Sequence, residues 1–376
     1  MAHPQTHRST PRAAEASPQR SLMPVLWAVL SLAIVGFVAY HARMGAVSPR
    51  IANPEVTGVP RPVEFLFGWP HWLVLHQVGT VVMMLTLVAL FVQKWRRYGP
   101  HPYLLMVLAS TSIVWQDPIM NWAPYAVYNP QLWHFPEDWP LVRLSPTVEP
   151  FIVIGYSTFY FIGPFLGANW ILRRLQARGS ENSVTWRHPL VSLALLLFVV
   201  GFAMDAVLEI FLVHTGLYIY SQVIPWGSVF AGTTFQFPLI WESALVTAVM
   251  IPAGVLVYRD DRGRSQAEKI AQRLRWFRHR PALATFLVMA GFLNVAYFVY
   301  GAGFAAIRAS GLATAVACPY PFPEAKVYDP QGYYEREGAP GPYFEGHWNT
   351  WMTAQPNGRP TVNPVKADGT CKPDRA

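Results

Sequence analysis

Seven long apolar stretches that contain no Lys or Arg constrain this chain more than any other feature. Each stretch is close to the ~20 residues that an α-helix needs to cross the ~30 Å hydrocarbon core of a bilayer. An apolar run of that length without basic residues predicts a membrane-spanning helix. We therefore expect an all-α, polytopic membrane protein with spans at residues 22–40, 72–92, 103–122, 149–172, 190–213, 235–258 and 282–306.

The basic residues lie mainly on one side of these predicted spans. The N-terminal tail and three alternate loops hold 18 Lys and Arg, whereas the short loops between them hold only four. Such an excess marks the cytoplasmic side of a membrane protein. The bias predicts seven transmembrane helices, with the N-terminus inside and the C-terminus outside the cell.

The composition divides the chain into three regions. Residues 1–21, rich in Ser, Pro and Arg, are predicted to be a disordered cytoplasmic tail. Residues 22–306 are predicted to form one seven-helix domain in the cell membrane. Residues 307–376, rich in Pro, Gly and Tyr, are predicted to be an irregular extracytoplasmic tail.

The net charge of +8 is compatible with a nucleic-acid partner, but its distribution favours another explanation. The basic residues are spread over cytoplasmic loops, where they contact anionic lipid headgroups. We therefore predict the lipid bilayer, and no nucleic acid, as a partner. The sequence leaves the oligomeric state open.

Two cysteines, Cys318 and Cys371, both lie in the predicted extracytoplasmic tail. Such a pair can form one disulfide that closes a loop of about 50 residues. Two free thiols are the alternative. Neither cysteine has a neighbouring His or second Cys at the spacing of a catalytic or metal site.

Five acidic residues fall within the predicted spans, which contain no Lys or Arg to pair with them. Charged side chains inside a bilayer cost several kcal/mol and mark functional sites by default. The pattern therefore indicates a functional site in the membrane. The five are Asp117, Glu149, Asp205, Glu209 and Glu242.

The depths of these acids in the predicted spans indicate that their side chains lie close together in the outer half of the membrane. At the rise of an α-helix, Asp117 lies about 21 Å and Asp205 about 22 Å from the inner ends of their spans, and Glu242 about 10 Å from the outer boundary. His76 lies one turn below that boundary. Asp205 and Glu209 are four residues apart and share one helix face. Because two carboxylates in a poorly solvated site cannot both ionise cheaply, we expect a protonated acid beside an ionised one.

A structural explanation competes with the functional one for each acid. A buried acid can cap a helix end or accept a hydrogen bond from a neighbouring Trp, Tyr or Asn. Glu149, at the predicted start of its span, fits that explanation because a helix N-terminus stabilises a carboxylate. Asp117, Asp205 and Glu242 fit a functional role better.

Neutral polar and aromatic residues, including Tyr160 and Tyr300, accompany the acids. This mixture suits an apolar substrate that carries hydroxyl groups or a carbonyl. Aromatic faces can also stabilise a carbocation. A single membrane histidine, however, often only bridges helices. We predict catalytic roles for Asp205, Glu209, Asp117 and Glu242, and substrate-binding roles for His76, Gln116, Asn121, Tyr156, Trp241 and Tyr297.

Several common chemical motifs are missing from the sequence. It contains no HExxH, no phosphate-binding Gly-rich loop and no GxSxG, and no helical histidine pair at haem-ligand spacing. We therefore predict no metal and no cofactor. What remains is acid–base chemistry by carboxyl groups.

Three segments give the chain a family resemblance: HARMGAVSPRIANPEVTGVP, VWQDPIMNWAPYAVYNPQLWHFPEDWP and MDAVLEIFLVHTGLYIYSQ. Over about residues 40–310 the chain resembles the AveC-like spirocyclase family of actinobacterial membrane proteins. The resemblance implies an enzyme of polyketide secondary metabolism that closes a dihydroxy-ketone to a spiroketal, sometimes followed by dehydration.

Spiroketal closure needs an acid to expel water from a hemiketal, a carboxylate to stabilise the oxocarbenium ion and a base. From depth and spacing we assign the first two roles to Asp205 and Glu209, supported by Asp117 and Glu242. A membrane terpene cyclase would use the same acids on an epoxide or alkene. A proton-coupled transporter of a hydrophobic molecule and a non-catalytic scaffold are the alternatives from other classes. No internal repeat supports the transporter.

Overall fold

The computed structural model describes residues 69, 71–129, 132–135, 139, 141–142, 145–146, 148–260 and 262–317. The predicted span 22–40 and the predicted tail 1–21 lie outside these residues. So do Cys318 and Cys371, and the disulfide therefore stays a prediction.

The described part of the chain is mainly helical, with four short strands. Its elements follow one another as α1 (Trp72–Tyr98), α2 (Pro102–Thr111), a 3₁₀ turn (Val114–Gln116), α3 (Asp117–Trp122), β1 (Ala126–Tyr128), α4 (Ile152–Tyr160), α5 (Gly163–Arg178), α6 (Val184–Arg187), α7 (Pro189–His214), β2 (Tyr218–Tyr220), β3 (Gln222–Val223), α8 (Leu239–Val257), α9 (Gln266–Ala271), a second 3₁₀ turn (Arg275–Phe277), α10 (Pro281–Ser310) and β4 (Ala315–Val316).

Four of these helices, α1, α7, α8 and α10, are long and apolar enough to cross a membrane. Helices α7 and α10 start with Pro189 and Pro281, which suit a first turn because its N–H groups need no helical partner. Helix α10 stops at Gly311, whose φ of 65° is left-handed. The predicted spans 72–92, 190–213, 235–258 and 282–306 are thereby confirmed as helices. The total of seven spans and the orientation stay predictions.

Two other predicted spans are not continuous helices. Residues 103–122 divide into α2 and α3, and residues 149–172 divide into α4 and α5. Pro118 and Pro164 lie in the first turns of α3 and α5, where each lacks the N–H that a continuous helix would use. At membrane depth such breaks are tolerated only where the backbone is buried in protein or lines a cavity.

Helices α7 and α8 approach each other closely because glycines lie at their contact. A Cβ atom on Gly201 would lie 2.9 Å from Met250 Sδ, and one on Gly254 would lie 2.6 Å from Leu197 Cδ1. Small residues allow membrane helices to pack at short distances. Helices α7 and α8 are therefore tightly packed against each other on one side of the bundle.

Two antiparallel ladders cover one end of the bundle, where α7 ends and α8 begins. Strand β1 pairs with β2 in the register Tyr128↔Tyr218 and Ala126↔Tyr220, and β3 pairs with β4. We call this the capped end. The all-α prediction missed these ladders because strands of two or three residues are too short to show the alternation that marks a strand.

A buried arginine stabilises the turn that joins α3 to β1. Tyr125 in this turn has a φ of 63°, which is unfavourable for a bulky residue. The guanidinium of Arg308 lies 3.8 Å from the Tyr125 ring centroid and 4.5 Å from that of Trp122, and it also donates to the Trp122 carbonyl. These contacts connect the end of α10 to the turn above the bundle.

The opposite end of the bundle is strongly basic. There Ser265 and Glu268 form a capping box at the start of α9, and Lys269 lies 2.8 Å from Asp260. Ala267 and Ala271 of α9 are buried in the core next to α10. The described basic residues at this end include Lys94, Arg96, Arg97, Arg173, Arg174, Arg178, Arg187, Arg259, Arg273 and Arg280.

Candidate active site

A cavity of about 130 Å³ lies near the capped end. Side chains from α3, α4, α7, α8, α10 and the β1–β2 ladder line it. Each of the two helix breaks borders the cavity, because Asp117, the first residue of α3, and Tyr160, the last residue of α4, both line it. Its ionisable lining comprises Asp117, Glu209 and Glu242 together with Tyr128, Tyr160, Tyr218, Tyr220, Tyr297 and Tyr300.

Two tyrosines of α10 hold two of these acids. The Tyr300 hydroxyl donates a 2.6 Å hydrogen bond to Glu242 Oε1, and the Tyr297 hydroxyl donates one of 3.0 Å to Asp117 Oδ1. Residues three apart share one helix face, and the two rings stack with centroids 5.5 Å apart. Helix α10 therefore couples an acid of α8 to an acid of α3.

Two further tyrosines, from β2, hold Glu209. Because alternate residues of a strand point to the same face, Tyr218 and Tyr220 both reach the carboxyl group. The Tyr220 hydroxyl donates to Glu209 Oε2 at 3.0 Å, and the Tyr218 hydroxyl donates to the same oxygen. The ladder at the capped end thus orients this acid.

Asp205 lies one helical turn before Glu209 but does not line the cavity. It is completely buried, and the hydroxyl of Tyr160 donates to its Oδ1. The Ser243 hydroxyl of α8 lies next to the same carboxyl group. Since Tyr160 does line the cavity, it is the connection between Asp205 and that space.

One amide bridges the remaining acid, Glu149, to Asp117. Asn121 Nδ2 donates to Glu149 Oε2 at 2.7 Å and to Asp117 Oδ2 at 3.2 Å. Glu149 is buried, and it precedes α4, whose N-cap residue is Phe151. Glu149 therefore takes part in the hydrogen-bonded network around the cavity.

Several carboxyl groups lie close together at this cavity, and they cannot all be ionised without nearby positive charge. No basic residue is among the described side chains that line the cavity. A buried carboxylate without a nearby cation is costly. Phenol and amide N–H or O–H groups offset part of that cost by donating hydrogen bonds. The carboxyl groups must therefore share protons, which is the condition for acid and base chemistry in one site.

Asn121 and Tyr297, which the sequence suggests as substrate-binding residues, do line the cavity. Tyr156 lies on α4, and its side chain is outside the described part.

Three other suggested residues lie elsewhere. The ring of His76 is 5.5 Å from that of Trp72 on α1. Gln116 Nε2 donates to Asn294 Oδ1 at 3.0 Å, and Trp241 Nε1 donates to the Trp226 carbonyl at 2.8 Å. None of these three side chains lines the cavity.

Sequence reasoning did not select Tyr218 and Tyr220. They lie after the fifth predicted span, and only their contact with Glu209 reveals their role. The sequence Tyr-Ile-Tyr places both phenols on one face once it forms a strand, but three residues are too few to predict that strand.

No group of three or more His, Cys, Asp or Glu side chains in the described part is arranged to hold a metal ion. Each acid is instead held by a phenol or an amide. The metal-free, cofactor-free site stays a prediction.

Comparison with known proteins adds one finding. Residues 95–328, more than half of the chain, match the family described as spirocyclase AveC-like. The matched segment contains all five acids, whereas His76 precedes it. No curated protein and no solved structure matches the chain. The chain belongs to the AveC-like spirocyclase family.

Proposed function

We propose that this protein is a membrane-embedded acid–base cyclase that closes a hydrophobic hydroxy-ketone to a spiroketal. One observation carries the proposal: three acids from three different helices, each held by a phenol, face one small cavity without a basic residue among its described lining. The family to which the chain belongs supports the reaction type.

The proposed reaction removes one water molecule overall. One hydroxyl of the substrate adds to the ketone carbon and gives a hemiketal. An acid protonates the hemiketal hydroxyl, the C–O bond breaks, and water leaves an oxocarbenium ion. The second hydroxyl then attacks that carbon, and its proton passes to a carboxylate. The reaction needs no oxidant or reductant.

Glu242 suits the role of proton donor. Tyr300 holds its Oε1, while its Oε2 has no hydrogen-bond partner within the described residues. The carboxyl group is therefore fixed in orientation and keeps one oxygen for the substrate.

Glu209 suits the roles of stabilising carboxylate and proton acceptor. Tyr218 and Tyr220 both donate to its Oε2 and keep it in place. Donors preorganised in this way stabilise developing charge without reorganisation during the reaction. Asp205, the partner of Glu209 in the sequence-based assignment, acts instead from behind the cavity through Tyr160.

A dehydration after closure would use the same groups. A carboxylate would remove a proton from carbon, and an acid would protonate the departing hydroxyl. This step, too, releases one water molecule.

The test is metabolite profiling of a strain that lacks the gene, complemented with variants. We expect wild type to restore the cyclised product, and Glu242→Gln and Glu209→Gln to accumulate a precursor one water heavier. The matched control is Glu181→Gln, which changes an exposed acid at the basic end and should behave as wild type.

Two outcomes would contradict the cyclase. If all three variants restore the wild-type metabolite profile, the protein is a scaffold. If the variants change only the distribution of an unaltered hydrophobic metabolite across the membrane, it is a transporter.

A further inference from the structure

The cavity is closed on most sides by packed protein. Strands β1 and β2 cover it at the capped end with the buried rings of Tyr128, Tyr218 and Tyr220. Tyr297 and Tyr300 of α10, also buried, close a second side. Towards the basic end, the apolar core between α7, α8 and α10 lies below it.

The remaining side lies between α4 and α7. Helix α4 packs against α1, α2 and α5, whereas α7 packs against α5, α6, α8 and β2. Both helices contribute lining side chains, namely Ser157 from α4 and Leu208 and Leu212 from α7, although α4 and α7 are not close packing partners. In the part of the chain that the structure describes, side chains separate the cavity from the exterior here. One turn closer to the basic end, the hydrogen bond from Tyr160 to Asp205 joins α4 to α7.

The exterior next to this wall is apolar. Val207 is 72% and Phe211 47% exposed, and they neighbour Leu208 and Leu212, which are half-buried. An apolar helix face of this kind in a membrane-spanning helix contacts lipid. Within the described residues, Leu208 and Leu212 thus stand between the acids and this apolar exterior, and Trp72 of α1, whose ring lies 6.1 Å from that of Phe211, borders the same wall.

The cavity is too small to enclose a long-chain substrate, so part of such a substrate must lie between Leu208 and Leu212. About 130 Å³ is well below the roughly 300–1,000 Å³ of pockets that enclose a drug-sized ligand. A hydroxy-ketone with a long carbon chain can therefore place only its reacting centre among the acids. The rest of the chain must extend out of the cavity, and hydrocarbon is the favourable surrounding for it.

We propose that Leu208 and Leu212 form a lateral portal between α4 and α7, through which a long-chain hydroxy-ketone enters from the bilayer and keeps its chain in the lipid. This inference rests on the proposed function and assigns the substrate class and route for the same site. Leu208 and Leu212 therefore select the substrate by the length of its carbon chain. The acids do not contact that carbon chain.

Photolabelling tests the route without requiring turnover. The probe is a long-chain dihydroxy-ketone with a diazirine in the carbon chain, a few carbons from the reacting centre, added to the full-length protein in lipid nanodiscs. We expect the label on peptides of α4 and α7 around Ser157 and Leu208, displaced by an excess of the unlabelled compound. Label confined to the β1–β2 ladder or to the loops of the basic end would overturn the portal.

Kinetics with paired substrates and a matched variant test the residues. Leu212→Trp should lower kcat/KM for the long-chain substrate about tenfold more than for a short-chain analogue that fits inside the cavity. Val207→Trp introduces the same ring on the neighbouring lipid-facing position and should stay within about twofold of wild type for both. Leu212→Ala should raise the long-chain to short-chain ratio.

The outcomes separate the two proposals. An equal loss for both substrates in Leu212→Trp, or an unchanged ratio in Leu212→Ala, would overturn the portal while leaving the cyclase intact. Portal labelling that Leu212→Trp abolishes, in a protein that converts neither substrate, would support the portal and reject the cyclase.

Discussion

The phenol of Tyr300 donates a 2.6 Å hydrogen bond to Glu242 Oε1 and so joins α10 to α8 at the cavity wall. Tyr300 is buried, and its ring stacks on that of Tyr297, which holds Asp117 in the same way. The two phenols thus position acids from two other helices. Their removal should affect the chemistry more than the fold.

Tyr300→Phe is the first prediction. It keeps the ring and removes only the donor, so Glu242 loses its orientation. We expect kcat to fall about 10- to 100-fold with little change in KM, because a positioned acid acts mainly in the transition state. Steady-state kinetics on the purified protein measure this. Tyr98→Phe, at an exposed position, is the matched control and should be silent. A rise in KM alone would assign Tyr300 to substrate binding.

The second prediction concerns Tyr218 and Tyr220, which share one oxygen of Glu209. Because the two phenols stabilise the same group, their effects on kcat should not be additive. The double Phe variant should lose less activity than the product of the two single losses. A double-mutant cycle measures the coupling, expected at about 1 kcal/mol. Strict additivity would mean that the two tyrosines act independently.

The third prediction concerns Asn121, which bridges Asp117 and Glu149. Asn121→Leu leaves both buried acids without this donor and should lower the free energy of unfolding by about 1–3 kcal/mol. Thermal unfolding in detergent measures the loss. Adding Glu149→Gln to Asn121→Leu should recover part of it, because one buried charge is then removed. No recovery would show that packing, and not charge, causes the loss.

The fourth prediction is a pH dependence at the basic end. The Lys269 ammonium, followed by the backbone N–H groups of Arg264 and Arg262, lowers the pKa of Asp260 to about 2. A carboxyl group with a lowered pKa stabilises the fold above its ordinary pKa of 3.8 and loses that contribution as the pH falls towards 2.

Asp260→Asn should therefore lower the Tm slightly at pH 7. The difference from wild type should shrink below the ordinary pKa of the carboxyl group. Melting curves in detergent between about pH 3 and 7 measure it. In a Lys269→Met background the substitution should matter less, since the charged partner is gone. A difference that stays constant across the pH range would show that the carboxylate charge is unimportant.

Much of the site could be predicted from single residues because a charge in a bilayer is costly wherever it lies. Asp117, Asp205, Glu209 and Glu242 stand out in the sequence, and the structure places them, together with Glu149, in or next to one cavity. Their partners could not be predicted. Each acid meets a tyrosine or asparagine, and for Asp117 and Glu242 the tyrosine is at least 58 residues away in the sequence.

The positions of the prolines alone do not predict where the helices end. Pro118 and Pro164 begin new helices, whereas Pro252 lies inside α8 without ending it. Every proline lacks the N–H that would continue a preceding helix, but whether the helix continues past it depends on what surrounds the carbonyl left without that donor. The breaks after α2 and α4 lie where the chain lines the cavity.

The apolar helices, the acids within the predicted spans and the family resemblance could all be read from the sequence, because length, hydropathy and charge are properties of single segments. That Glu209 faces the cavity while Asp205, on the same face of α7, lies behind Tyr160 follows from the packing of the helices against one another. The reason is physical: one helical turn separates the two carboxyl groups, and the neighbouring helices set the depth at which the cavity lies.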